Sequence, residues 1–155
     1  MVLGLAGILA CVPIALSAAQ PGLPKAADLS SDAAAMRAAR MPMVVLYSQA
    51  SCSYCEEART YLVPMANDPA NAQRTLFRQI DIDSDAAVTD FAGQPTTHRR
   101  LAKQLGAKFT PTVTVVDADG RPLGEAIIGM RLADFYAQYV DNAIEDARAA
   151  LAVRP

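Results

Sequence analysis

Hydrophobic and polar positions change period several times along this chain, and each change marks an element. The apolar run Met43-Val44-Val45-Leu46-Tyr47, ending at Ser48, is continuous and reads as a central strand buried on both faces. Residues 109–117 (Phe-Thr-Pro-Thr-Val-Thr-Val-Val-Asp) are the most β-branched stretch and read as the strongest strand. Pro111 has no N–H to give to a ladder and belongs at that strand's mouth. Residues 75–83 alternate in their second half and predict another strand, closed by Asp83-Ser84-Asp85. Asp119-Gly120 predicts a tight hairpin turn, with residues 123–128 as the partner strand and Gly129 as its end.

Helical periods fill the intervals. Residues 32–41 are Ala-rich behind a Ser30-Ser31-Asp32 cap and stop near Pro42. A second helix is expected from residue 52 or 53 to about 65, with Pro64 kinking or ending it. A third runs from a Thr97 cap to Gly106. The last, residues 131–151, carries Leu132, Phe135, Tyr136, Tyr139, Val140 and Ala143 at three- and four-residue steps, a stripe suited to core packing. Residues 86–97 show no clear period; Gly93-Gln94-Pro95 marks a loop, and the segment is a candidate to line a groove. The order strand, helix, strand, helix, hairpin, helix predicts an α/β domain. Its first half is a βαβ unit with a parallel pair, and its second half is an antiparallel hairpin closed by a helix. Together they make a central mixed sheet with helices on both faces.

Residues 2–19 are almost wholly apolar, and Ser17 and Ala19 supply the small residues of a signal-peptidase site before Gln20. Residues 1–19 therefore read as a secretory leader, with a periplasmic or secreted destination. No Lys or Arg precedes the apolar run. The alternative is a retained membrane anchor, for which its length is just sufficient. Acylation at Cys11 is disfavoured by the apolar residues that follow it. Residues 20–29, with two prolines and a glycine, read as a linker, and residues 30–152 as one domain. A formal net charge of −2 with 19% charged residues fits a soluble globule, and no basic stripe points to nucleic acid. If Cys11 leaves with the leader, two of the three cysteines remain, as a dithiol site requires.

Those two carry the candidate chemistry. Cys52-Ser53-Tyr54-Cys55 follows the Met43–Ser48 run and opens a helix. A thiol at a helix N-terminus meets unpaired backbone N–H groups and the positive end of the helix dipole, and both favour the thiolate. Free cysteine titrates near about 8.5, and sites of this kind fall to about 3.5–7.5. Cys52 is thus the candidate nucleophile. Cys55, one turn further inside the helix, is the candidate resolving thiol, and Ser53 and Tyr54 are placed to tune the redox potential. The competing readings are an inert disulfide or half of a zinc site. Zinc needs a second ligand pair, and only Cys11 and His98 remain to supply one. His98 reads as a solvated or capping-region residue rather than a proton carrier.

Taken in order, the CxxC after a buried strand, Gly106, Thr110-Pro111-Thr112 before the second strong strand, the Asp119-Gly120 turn and Gly129 before the last helix resemble the thioredoxin-like superfamily over about residues 30–150. The resemblance implies a thioredoxin-like fold. It also implies a cis bond before Pro111 facing the CxxC, and a Thr110 backbone that pairs with an extended substrate. Thr before that proline and Tyr within the CxxC are similar to periplasmic disulfide-isomerase and reductase members. The implied activity is that of a thiol–disulfide oxidoreductase reducing protein disulfides. It needs no cofactor or metal beyond a redox-active Cys52–Cys55 disulfide. Its expected partners are protein disulfide or thiol substrates and a membrane electron donor, and the protein is expected to be a monomer. One departure stands out: the buried acid that thioredoxins place six residues before the first cysteine is Leu46 here. Proton transfer at Cys55 then falls to water or another group; Glu56 and Glu57 are near but read as exposed helix carboxylates. Two alternatives remain. One is a dithiol oxidase that donates its disulfide. The other is a thioredoxin-fold assembly module carrying Cu(I) on Cys52 and Cys55, with His98 or Met130 as further ligands.

Overall fold

Strand β1 (Met43–Ser48) is buried at every residue, and the rest of the chain is laid against it. The structure, a computed structural model, describes residues 22–130 and 133–153. The leader or anchor reading of residues 1–19 lies outside the described residues. Among those described, no helix is long and apolar enough to cross a membrane.

The sheet has four strands in the order β2-β1-β5-β6, with β2 (Leu76–Asp81) parallel to β1. β5 (Thr112–Val116) is antiparallel to β1, and β6 (Ile127–Ile128) is antiparallel to β5. Successive side chains of β1 enter two separate cores, as the two-residue period of a strand requires. Val44 and Leu46 join Phe77, Val113, Val115, Ala58, Leu62, Tyr136, Val140 and Ile144. Met43, Val45 and Tyr47 join Ile80, Val116, Leu29, Met36 and Leu101 on the other face. The first core lies under α2 (Ser53–Asn67) and α5 (Tyr136–Ala152), the second under α1 (Leu29–Ala39) and α4 (His98–Gln104). A single turn, α3 (Pro69–Ala72), follows α2. The expected α/β architecture, a mixed sheet flanked by helices on both faces, is what the chain adopts.

Several elements depart from the sequence reading. The described part of the linker is an ordered strap. Gln79 N–H donates to Pro24 O at 2.9 Å, Ala26 N–H to Gln79 O at 2.9 Å and Thr89 N–H to Ala27 O at 2.9 Å. Leu23 and Ala26 are buried, so the domain includes residues from 22 onward. The cap of α1 is Asp28 rather than the serine cluster, its Oδ1 accepting from Ser30 and Ser31 N–H at 3.1 Å each. α2 runs through Pro64 because Leu62 is in the core and Tyr61, Val63, Met65 and Ala66 pack against it. The partner strand expected over residues 123–128 shrinks to two residues plus a bridge between Val116 and Pro122, since residues 124–126 are exposed and bury nothing. A 3-10 turn (Ala133–Phe135) precedes α5, whose buried stripe is Tyr136, Val140, Ile144 and Ala147. Phe135 and Tyr139, expected in that stripe, are exposed.

Residues 86–97 form a small hairpin of β3 (Ala87–Thr89) and β4 (Pro95–Thr97). Its Phe91 ring packs on Gly120, where an added Cβ would come within 2.6 Å of the ring. Gly120 follows β5, whose C-terminal end lies beside Met43, so the hairpin's tip sits at the far end of β1 from Cys52 rather than along a groove beside it. His98 is buried, not solvated. Its Nδ1 accepts the Asp81 N–H at 3.0 Å, which leaves Nε2 as the protonated nitrogen, 2.9 Å from Ala26 O. The ring thus ties strap, β2 and α4 together.

Two core residues give opposite expectations for stability. Leu62 is fully buried, and Leu62→Ala should cost about 2–5 kcal/mol in urea unfolding. The Tyr136 hydroxyl is buried without a hydrogen-bond partner among the described residues, and burial pushes its phenol up to about 12. Tyr136→Phe removes that unpaired group and should leave stability unchanged or raise it by up to about 1 kcal/mol in the same assay.

Candidate active site

β1 ends at Ser48, and the next four residues turn the chain into α2. Ile82 N–H donates to Ser48 O at 2.8 Å, and the Asp83 carboxylate accepts the Ala50 N–H at 3.0 Å, fixing the start of the turn. Ser51 adopts φ +54°, a left-handed conformation that costs a non-glycine residue about 1–2 kcal/mol. That turn delivers Cys52 as the N-cap of α2: its Sγ accepts the Cys55 N–H at 3.1 Å, and its O accepts from Cys55 and Glu56 N–H. Cys52 is half-buried and Cys55 fully buried, as their different expected roles require. The two are joined in a disulfide, with Cα atoms 5.2 Å apart.

The loop before β5 closes over the pair. The Thr110–Pro111 peptide bond is cis. Thr112 Oγ1 donates to Phe109 O at 2.8 Å, and Gly129 N–H donates to Pro111 O at 2.8 Å, so both ends of the loop are held. Thr110 Oγ1 lies 3.8 Å from Cys52 Sγ, close enough for a weak contact to sulfur. The structure thus brings Cys52, Cys55, Thr110 and Pro111 to one place, with Ser53 and Tyr54 exposed beside them. Tyr54 and Phe109, each 63% exposed, and Ile128, 51% exposed, form an apolar rim around the pair. Apolar surface this close to a reactive sulfur suits a protein partner better than a small polar thiol.

On the other side of the Cys52 loop lies an open cleft of about 590 Å³, lined by Ser51, Ser48, Glu56, Arg59, Gln79 and Asp83 among others. Sequence reasoning missed its central residue, Arg59. Its guanidinium donates to Ser48 Oγ at 2.9 Å and to Gln79 Oε1 at 3.2 Å, and forms an ion pair with Glu56. Gln79 Nε2 in turn donates to Asp81 at 2.6 Å, and Lys25 Nζ pairs with the same carboxylate at 2.6 Å. Burial pushes the Asp81 carboxyl up, but Lys25 and Gln79 together outweigh it and hold it below the usual carboxylate range. The signal available in the sequence was spacing: Arg59 follows Cys55 by four residues and so shares its side of the helix. Asp83, which pins the loop, was read only as a strand end.

His98 and Met130 do not complete a metal site with the cysteines. Both nitrogens of His98 are engaged with Asp81 and Ala26 backbone, and Met130 packs against the α2–α5 core. Among the described residues no group of three or more His, Cys, Asp and Glu side chains is placed to hold a metal ion.

Comparison with known proteins agrees with this geometry. No curated protein sequence matches the chain. The fold is similar to that of mitochondrial thioredoxin 3 of Saccharomyces cerevisiae in its oxidized form. The TM-score is 0.53 at 18% identity, covering 80% of this chain and 94% of that one. It is also similar to the thioredoxin of Malassezia sympodialis, with a TM-score of 0.51 at 14% identity, covering 81% and 92%. A family model described as a thioredoxin-like domain matches residues 29–144, which span the strand, the CxxC, the cis-proline loop and most of α5. The chain therefore belongs to the thioredoxin-like family, with Cys52–Cys55 as its thiol–disulfide centre.

Proposed function

We propose that this thiol–disulfide oxidoreductase reduces disulfides in protein substrates, in an exported compartment, with Cys52 as nucleophile and Cys55 as resolving thiol. One observation carries the reading: a half-exposed Cys52 caps a helix next to a buried Cys55, beneath the Thr110–Pro111 loop and inside an apolar rim. In the reduced protein, the Cys52 thiolate attacks one sulfur of a substrate disulfide. The substrate S–S bond breaks, a mixed disulfide forms, and one substrate thiolate leaves. Cys55 then loses its proton and attacks Cys52 Sγ, forming the Cys52–Cys55 disulfide and releasing the second substrate thiolate. Two electrons pass from the protein to the substrate, whose thiolates take up protons from solvent. A donor of two electrons, expected at the membrane, restores the dithiol.

The backbone of Thr110 is suited to pair with an extended substrate segment while Tyr54, Phe109 and Ile128 cover its apolar side chains. Ser53 and Tyr54 are exposed next to the sulfurs and set local polarity there. Export rests on the apolar residues 2–19 with their Ser17–Ala19 cleavage signal. The opposite direction of flow, oxidation of substrate dithiols, is favoured by one feature. The helix N-terminus and the Thr110 hydroxyl both stabilise a Cys52 thiolate, which favours the reduced form of the protein.

Cys52→Ser should abolish reduction of a disulfide substrate such as insulin. Cys55→Ser should accumulate a mixed disulfide, visible as a mass increase on a non-reducing gel that dithiothreitol reverses. Full turnover by the Cys52 variant would refute the assignment. Thr110→Val keeps the shape of the loop but removes the hydroxyl near Cys52. It should raise the Cys52 thiol pKa by less than about one unit, read by the pH dependence of alkylation.

A further inference from the structure

We propose that Arg59 is a positioning residue of the redox centre: a largely buried cation, set between α2 and the sheet, that stabilises thiolate in the reduced Cys52–Cys55 pair. This rests on the thiol–disulfide reading of that pair and adds the group that sets its acidity.

Strand alternation places Val44, Leu46 and Ser48 on the face of β1 that α2 covers. The parallel register puts Gln79 beside Leu46 and Asp81 beside Ser48. This interface is therefore apolar at its N-terminal end and polar near the cysteines. Its apolar part includes Leu46, where thioredoxins carry a buried acid. Arg59 reaches into the polar part. Ser48 is 1% exposed and Gln79 6%, and the Arg59 side chain is 20% exposed while bonding both. A surface ion pair with Glu56 alone would not draw the guanidinium inward, because burying a cation costs free energy unless its hydrogen bonds are met. The layer beneath the CxxC thus carries a positive charge on α2 and no acid at residue 46.

The surrounding charges do not cancel it. Glu56, its direct counter-ion, is 73% exposed and screened by water and salt. Asp81 is taken up by Lys25 and by the Gln79 amide, and Asp83 by the Ala50 N–H. Glu57, the other acid of this helix segment, is half-buried. Cys55 and Arg59, four residues apart on one helix, have Cβ atoms about 5–6 Å apart, and the part-buried setting weakens screening between them. Reduction of the disulfide takes two electrons and, near neutral pH, one proton, leaving one thiolate and one thiol. A cation that stabilises the thiolate therefore stabilises the reduced state relative to the disulfide.

The test is thiolate ultraviolet absorbance against pH on the reduced full chain, at low and high salt, with the equilibrium against glutathione. Arg59→Gln should raise the lower thiol pKa by about one unit. It should also move the glutathione equilibrium about threefold to tenfold toward the disulfide. Arg59→Lys, which keeps the charge, should stay near the parent values. Glu56→Gln should shift the pKa the other way at low salt and lose that effect at high salt, whereas the Arg59→Gln shift persists. An unchanged pKa in Arg59→Gln, or an equal rise in Arg59→Lys, would overturn the proposal. Where Arg59→Gln does not fold, the double variant Glu56→Gln/Arg59→Gln, compared with Glu56→Gln, carries the same expectation and the same refutation. Measured in Cys55→Ser, the shift is assigned to Cys52. Turnover surviving Cys52→Ser would instead fault the nucleophile assignment and leave the Arg59 titration to be judged by itself.

Discussion

The Cys52 sulfur accepts the Cys55 N–H at 3.1 Å and so caps the helix whose N-terminus activates it. That contact depends on where β1 stops and α2 begins. A strand buried on both faces cannot slide, because a shift of one residue would exchange the side chains of two cores. β1 is such a strand, and its fixed end sets the position of the turn through Ser51, held by Ile82 and Asp83. The cis Thr110–Pro111 loop is fixed by the same sheet, since β5 pairs with β1 and Gly129 ties the loop back to the end of β6. The reactive pair is thus placed by backbone pairing rather than by side chains of its own.

Much of this was legible in the sequence. The continuous apolar run of β1 and the β-branched run of β5 identified the two central strands, and Cys52-Ser53-Tyr54-Cys55 marked the junction of strand and helix. What was not legible came from tertiary contacts. Residues 22–28 contain prolines and glycine and look like a linker by local conformation, yet their backbone bonds with Gln79 and Thr89 make them an edge of the domain. His98 looked like a surface residue at a helix start, because nothing in its neighbours reveals that the Asp81 N–H and Ala26 O converge on it. Phe135 and Tyr139 fell on a helical period but sit just outside the buried stripe, which Tyr136 and Val140 define.

The electrostatics of the site were the least legible part. Leu46 showed that the acid of related thioredoxins is missing, but only the register of β1 and β2 shows that Ser48 and Gln79 receive Arg59 near that level. The result is a centre whose thiolate is favoured by the helix N-terminus, by the Thr110 hydroxyl and by a cation. Each of these raises the reduction potential relative to a centre without it. A reductant built this way is milder than one that carries a buried acid.

The reduction potential of the Cys52–Cys55 pair, measured by equilibration against glutathione and dithiothreitol buffers, tests the direction of electron flow most directly. The expected value lies between that of thioredoxin, about −270 mV, and those of glutaredoxins, about −200 to −230 mV. A value near about −120 mV, that of a strong dithiol oxidant, would reverse the proposed flow of electrons and contradict the reductant function.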